Sequence, residues 1–319
     1  MSVVYVISEA GGMGKSAFLT SLASFMKEQG HMVSVSKPIA SSPEDQDSST
    51  FADLLHLEDG KSSVATLIDA VGEVDRLTTE GGFVIIEGSS TLELAEHMSF
   101  AEETDAKVIL IVSQMLGPDT IEFATSFGHN LYGLVVNNET RYGHTEVEKS
   151  LIPALDSAGI KLLGTLPEIR ALLSLTVQQI VDGLGGRLIE DQVDASRLVE
   201  SYMVGGFGMD PGQYAFSTRV NKAVIVRGDR PDVQMSALST SLACFILTRG
   251  VEPIEYVQYE ASEEGVPIIV VDMDTLEVMD GMGALQRNAR FDHPEKLLQY
   301  REIMKENIDL EGLLVGLLQ

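Results

Sequence analysis

Cysteine is nearly missing from this chain of 319 residues: Cys244 stands alone, which excludes an internal disulfide and any site built from several thiolates. The six histidines are scattered without metal-ligand spacing, so no structural metal centre is expected. Basic residues are scarce. Lys and Arg number 22 against 48 Asp and Glu, and a formal net charge of −26 repels phosphate backbones, so nucleic acid is not an expected partner. The acidity runs along the whole chain instead of gathering in a tail, as on a solvated surface. Long apolar runs are missing as well. None nears the ~18–20 residues needed to span a bilayer, and no membrane partner is expected. The first residues lack a basic stretch followed by an apolar one, so the reading is a cytoplasmic protein from which no leader is removed. With 10 prolines, 44% hydrophobic and 22% charged residues, the composition is that of a globular chain with room for two domains.

What is present alternates. Val3–Ile7 reads as a buried strand, and a helix follows from about Lys15 to Gln29, with Phe18, Leu19, Leu22 and Phe25 or Met26 at helical spacing and a stop at Gly30. Further strands are expected at 33–36, 83–86, 108–112, 134–136 and 162–166, with helices between. Near-continuous apolar strands separated by helices indicate a doubly wound α/β domain whose parallel sheet is covered on both faces, here assigned to 1–190. A looser polar connection from about Gly183 to Asp194, made of Gly183-Leu184-Gly185-Gly186 and then Glu190–Asp194, precedes a second set of strands at 223–226, 244–247 and 267–271, read as a smaller α/β domain over 195–290. Cys244 falls inside one of these strands and is expected to be a core residue. A helical tail, 291–319, ends in an apolar stretch that should dock on its parent domain or on a second subunit.

The strongest chemical signal is Gly11-Gly12-Met13-Gly14-Lys15-Ser16, between the first strand and the first helix. In a phosphate loop successive backbone N–H groups converge on phosphate oxygens, glycines allow close approach, and the helix N-terminus adds a favourable dipole. Lys15 would reach the β and γ phosphates and the Ser16 hydroxyl would ligate Mg²⁺, with Ala17 completing the cradle. The standard spacing puts glycine at position 9, where this chain has Glu9; that carboxylate must point away from a triphosphate or be neutralised.

The Gly-Gly-x-Gly-Lys-Ser form resembles the loop of the family holding the Min and Par ATPases, nitrogenase iron protein and dethiobiotin synthetase. Ala10 stands where the Min and Par members carry a signature lysine, which argues against a partition-type ATPase. The stretch Val3–Ala40, with Lys37-Pro38 after the second strand, is similar to the start of dethiobiotin synthetase. That resemblance implies several roles. Lys37 would serve the substrate and the developing phosphate charge. Glu87 of Ile85-Ile86-Glu87-Gly88 would ligate Mg²⁺, joined by Asp47, with Asp45 as the alternate, from Pro43-Glu44-Asp45-Gln46-Asp47. Asn137, with Asn138 chemically equivalent, would recognise adenine. Two positions depart from that family: Pro38–Ser42 lacks its glycine, and Ser89-Ser90-Thr91 replaces its Ala-Gly-Gly, so its diamine substrate is not expected. Residues from about Met203 to Leu276 resemble a DRTGG domain through Asn221–Gln234 and Gly265–Val271, with Asp229-Arg230 kept and Pro231-Asp232 in place of the rest of the namesake motif. The pair of domains looks like the N-terminal half of long-form phosphate acetyltransferase, without the transferase domain.

These resemblances imply a Mg-ATP-binding regulatory protein that senses nucleotide, forms a homodimer or higher homo-oligomer, and reports to a metabolic-enzyme partner. An ATP-dependent ligase or a slow ATPase using Lys15 and Lys37 is the alternative. For Gly228-Asp229-Arg230, both a ligand or subunit contact and a local salt-bridged turn remain open.

Overall fold

The apolar runs 3–7, 83–86 and 108–112 become strands because each is buried on both sides. In the computed structural model, which describes residues 2–41, 45–57, 66–79, 81–114, 119–190, 193–206 and 209–318, the chain forms two units: 2–169 together with 291–318, and 170–290. Pro43, Glu44, Asp191 and Gln192, named in the sequence reading, lie outside the described residues.

The first unit runs β1 (Ser2–Ser8), α1 (Lys15–Glu28), β2 (Val33–Ser36), α2 (Asp47–Leu55), α3 (Leu67–Thr79), β3 (Phe83–Glu87), α4 (Leu94–Glu103), β4 (Lys107–Val112), α5 (Thr120–Thr125) and β5 (Leu131–Glu139). A short α6 (His144–Glu146), a π turn, α7 (Ile152–Ala158) and β6 (Leu162–Pro167) follow. All six strands pair in parallel, in the order β2-β3-β1-β4-β5-β6. Val4, Val6 and Ile7 of β1 are fully buried, each worth about 1.5–3 kcal/mol relative to exposure. α1 stops where the sequence suggests, at Gly30 with φ 84°. The central place of β1, with Val6 opposite Glu87 on β3, sets the loop after β1 beside the end of β3.

The second unit holds β7 (Leu175–Thr176), α8 (Val177–Leu184), β8 (Arg187–Leu188), β9 (Leu198–Val199), β10 (Ser201–Val204), α9 (Met209–Phe216), β11 (Lys222–Arg227) and α10 (Pro231–Leu238), then β12 (Leu242–Thr248), α11 (Glu255–Glu263), β13 (Ile268–Val270) and α12 (Thr275–Arg287). Its main sheet, β10-β11-β12-β13-β8, is parallel except for β8, and apolar clusters cover both faces. Cys244 on β12 is fully buried, which pushes its thiol pKa up to about 12.

The border between units falls about twenty residues earlier than the sequence suggested. α8 supplies Val177, Ile180 and Leu184 to the core that also holds Cys244 and Met282, and β8 pairs with β13. A Cβ on Gly183 would stand 2.4 Å from Leu285, so the glycine run is a packing surface of α8 as much as a connection. The tail also differs from a separate segment: α13 (Pro294–Asn307) and α14 (Leu310–Leu318) are part of the first unit. Leu297, Met304, Leu313 and Leu317 are buried, and Lys107 Nζ donates to the carbonyls of Gly316 and Leu317 at 3.0 and 3.1 Å. Of the two docking partners open in the sequence, α13 and α14 use the parent domain. Among the described residues no helix is long and apolar enough to cross a membrane.

Candidate functional site

The turn from β1 into α1 has the backbone a phosphate cradle requires. Gly12 and Gly14 adopt φ of 74° and 88°, a region costly for other residues. A Cβ on Gly14 would lie 2.1 Å from Asn137 Nδ2, so space and conformation both demand glycine there. Gly11 approaches Ser90, with 3.6 Å from its would-be Cβ to Ser90 Oγ. Lys15 is buried; its Nζ donates to Ser8 Oγ at 3.0 Å, and Ser8 Oγ donates to the Ala10 carbonyl at 2.6 Å. Ser16, half-buried in the first turn of α1, acts with Lys15 to favour the charged form of Glu87. Ala17 is buried behind the loop, and the half-buried Met13–Gly14 peptide is held by Asn137. Glu9 turns aside: its Oε2 accepts from the Thr120 hydroxyl at 2.9 Å, at the start of α5.

Lys37, just past β2, is only 5% exposed and sits among three carboxylates. Its Nζ lies 2.7 Å from Asp45 and 3.2 Å from Glu87, and it also pairs with Asp47. Burial opposes its charge, but Glu87, Asp45 and Asp47 together outweigh burial, and the pKa of Lys37 ends above its ordinary value. Asp45 is buried too, yet the Lys37 bond and the backbone N–H groups of Asp47 and Ser41 hold its pKa down at about 2. Glu87 behaves oppositely: burial, with Asp47 adding, raises its pKa in spite of Lys37, Lys15 and Ser16. Lys15 is lowered, chiefly by burial, and Lys37 contributes in the same direction.

Among the described residues, no three His, Cys, Asp or Glu side chains are disposed to hold a metal unaided; the three carboxylates surround an ammonium. A magnesium ion needs only one or two carboxylates when phosphate oxygens and waters complete its shell. Among the described residues Glu87 Oε2 is buried without a hydrogen-bond partner, so Glu87 fits such an ion, with the Ser16 hydroxyl at the start of α1 as the second ligand the motif supplies. Asp47, at the first turn of α2, is the more open of the two remaining acids.

Asn137, expected at the adenine, is engaged within the protein. It is 3% exposed, its Nδ2 donates to the Met13 carbonyl at 2.9 Å, and its Oδ1 accepts from the Tyr300 hydroxyl at 2.8 Å. The amide is spent beneath the phosphate loop. Asn138, exposed with φ 58°, is the member of the pair left open. Beside the loop, hydroxyls that stand in the sequence as departures from the family pattern come together with Ser41. Ser41 and Ser89 lie 3.3 Å apart, Ser90 donates to Ser41 at 3.4 Å, and Ser89 and Thr91 lie 2.8 Å apart. Next to Ser89, a small pocket is lined by Tyr5, Pro38, Ile39, Glu87, Gly88 and Ser89 among others. Tyr5, in its wall, has its Oη 2.7 Å from His97 Nδ1. Gly88 is the trace of that pair in the sequence, since a Cβ there would meet Ile7 at 2.7 Å and Tyr5 Oη at 3.0 Å.

In the second unit the Gly228-Asp229-Arg230 turn is closed on itself. Arg227 Nε donates to Asp229 at 2.9 Å and Arg230 Nε to Asp232 at 2.9 Å, all four side chains being exposed or nearly so. A Cβ on Gly228 would come within 1.8 Å of the Val251 carbonyl, which explains the glycine without a ligand.

Residues 179–285 match the model of the DRTGG domain. Among solved structures, the regulatory region of a Clostridium perfringens pyrophosphatase, with CBS and DRTGG domains and the activator diadenosine tetraphosphate, is 17% identical over 39% of this chain and 50% of its own, with a TM-score of 0.31. The signal recognition particle receptor FtsY of Elizabethkingia anophelis, in complex with GDP, is 17% identical over 51% of this chain and 56% of its own, with a TM-score of 0.40. A nucleotide-binding protein of Archaeoglobus fulgidus, in complex with ADP, is 15% identical over 52% of this chain and 81% of its own, with a TM-score of 0.38. The chain thus spans about half the length of the first two structures. Likeness of this extent assigns no activity.

Proposed function

With a phosphate-loop α/β unit and a DRTGG domain on one chain as premise, we propose that this protein binds Mg-ATP at the β1–α1 turn and uses it as a regulatory signal. The observation that carries the reading is Glu87 at the end of β3, next to the strand that leads into the phosphate loop, its Oε2 buried and unpaired among the described residues. Lys15 would leave Ser8 for the β and γ phosphates, while the N–H groups of Gly11–Ala17 would receive the phosphate oxygens. Ser16 and Glu87, with Asp47 next to them, would hold Mg²⁺, which when bound neutralises phosphate charge. Lys37 supplies a second cation at the same edge. On this reading the protein works in the cytoplasm as a homo-oligomer and reports to a metabolic-enzyme partner, as its resemblance to the non-transferase half of phosphate acetyltransferase implies.

A second reading has its own support. Lys37 and the hydroxyls of Ser41, Ser89 and Ser90 form a polar wall beside the loop, the setting a ligase-like enzyme or a slow ATPase would use. Calorimetric titration of Mg-ATP into wild type and Lys15→Ala, with phosphate release followed in parallel, separates the two. Binding lost in the variant, with release near background, supports the sensor. Brisk release moves the enzyme readings ahead. No binding by wild type removes both.

A further inference from the structure

For backbone N–H groups of a phosphate loop to converge on one anion, the carbonyls between them must turn outward and find other donors. The outward carbonyl of Met13 finds Asn137 Nδ2 at 2.9 Å. That donor is fixed in turn, because Asn137 Oδ1 accepts from the Tyr300 hydroxyl at 2.8 Å and both side chains are buried. The arrangement admits one orientation of the amide, since the Met13 carbonyl can only accept and so requires Nδ2, which leaves Oδ1 for the phenol to donate to. The Asn137 amide also fills the volume a side chain at position 14 would need. Tyr300 belongs to α13, whose Arg301 donates to Ser24 Oγ at 3.2 Å and lies 2.5 Å from Glu28 on α1, the helix that the loop opens.

The other side of the Tyr300 ring leads elsewhere. It meets Phe291 edge-on, with centroids 5.9 Å apart and planes at 73°. Phe291 is the first residue after the DRTGG-containing unit, which ends at Arg290. The chain leaves the first unit after β6 and returns to it at Phe291, so the DRTGG-containing unit is an insertion between β6 and α13.

We infer that Tyr300 is a positioning residue of the nucleotide site: through Asn137 it holds the Met13 carbonyl of the phosphate loop, and through Phe291 it ties the state of that loop to the segment returning from the DRTGG-containing unit. The nucleotide part rests on the function proposed above; the brace on the empty loop does not. Removing only the hydroxyl, in Tyr300→Phe, keeps the ring against Phe291 and leaves Asn137 Oδ1 buried without a donor.

Hydrogen exchange by mass spectrometry on the full chain reads both parts. Without nucleotide, peptides covering Gly11–Ala17 exchange about tenfold faster in Tyr300→Phe than in wild type. With Mg-ATP, wild type gains protection both there and over 290–300. In Tyr300→Phe, affinity falls about tenfold and the protection over 290–300 is lost, while the loop itself is still protected at saturation. A simple packing defect would speed exchange across α13 as a whole and leave the two segments coupled. Equal loop exchange in both proteins without nucleotide overturns the brace. Wild-type loop protection by Mg-ATP with no change over 290–300 overturns the coupling and needs no variant. Loop exchange that differs between the proteins while neither binds Mg-ATP keeps the brace and removes the nucleotide reading and the coupling.

Discussion

At the carboxyl edge of the six-stranded sheet, Lys37 is 5% exposed and shared by three carboxylates; at the carboxyl edge of the second sheet, Arg227 and Arg230 are 52% and 41% exposed, each paired with the aspartate two residues on. Both edges end parallel strands in charge, the place where such sheets receive ligands. They differ in what the charge costs. An exposed pair trades one set of hydrogen bonds for another at little net gain. A buried set carries a desolvation penalty of several kcal/mol per ion, repaid only while all its members are present. Charge held at such a cost belongs to a site, whereas charge held cheaply belongs to a turn.

The comparison breaks most sharply at Lys37. In Lys37→Met three carboxylates lose the ammonium they share, and stability should fall by about 3–5 kcal/mol, measured by urea denaturation, with part of the loss restored by millimolar Mg²⁺. No loss would mean that solvent reaches these groups far better than their burial indicates. Gly14→Ala should come next. Its φ of 88° and the 2.1 Å approach to Asn137 combine backbone strain with overpacking, for about 2–4 kcal/mol and a loss of nucleotide affinity. An unchanged denaturation midpoint would show that Asn137 can move aside.

A pH scan sharpens the contrast further. Burial first, with the Lys15 charge adding, brings the His97 pKa down to about 4, so folding favours its neutral form. The unfolded chain binds this proton at about 6.5, and stability present above that value is lost as pH falls from about 6.5 toward 4. The second unit has no histidine between 170 and 290, so the effect belongs to the first. His97→Gln should flatten the profile in that window; an unaltered profile would assign it to other groups. The smallest effect is expected from Arg230→Ala, where thermal melting should not separate variant from wild type. A clear drop would mean that this turn holds more than its own aspartate.

Much of this edge was legible in sequence because the signals are local. Six strands of the first unit and β11, β12 and β13 of the second are apolar runs, and Gly11–Ser16 with Glu87-Gly88 name the loop and its acid within a few residues. What stayed hidden depends on long separations. Asn137 looks like a base reader until Tyr300, 163 residues on, is found to occupy its amide oxygen. β8 and β9 are two residues each and have no run to show. The glycines at 183, 185 and 186 read as a linker because Leu285, which demands a small partner at Gly183, lies about a hundred residues away. Ser89, Ser90 and Thr91 were noticed only as departures from a family pattern, although their hydroxyls form a connected set.

The nesting of one unit inside the other also orders how the molecule can be made. Synthesis delivers β1 and the phosphate loop first and the helices that cover them last, with the whole of 170–290 emerging in between. The inserted unit has its own apolar cores and can close while the ribosome is still at work. The first unit must wait, its sheet lacking α13 and α14 and the Met13 carbonyl held by an amide that has not yet met its phenol. A chain halted before Phe291 would therefore carry the complete nucleotide motif in its sequence and an unfinished nucleotide site in its fold.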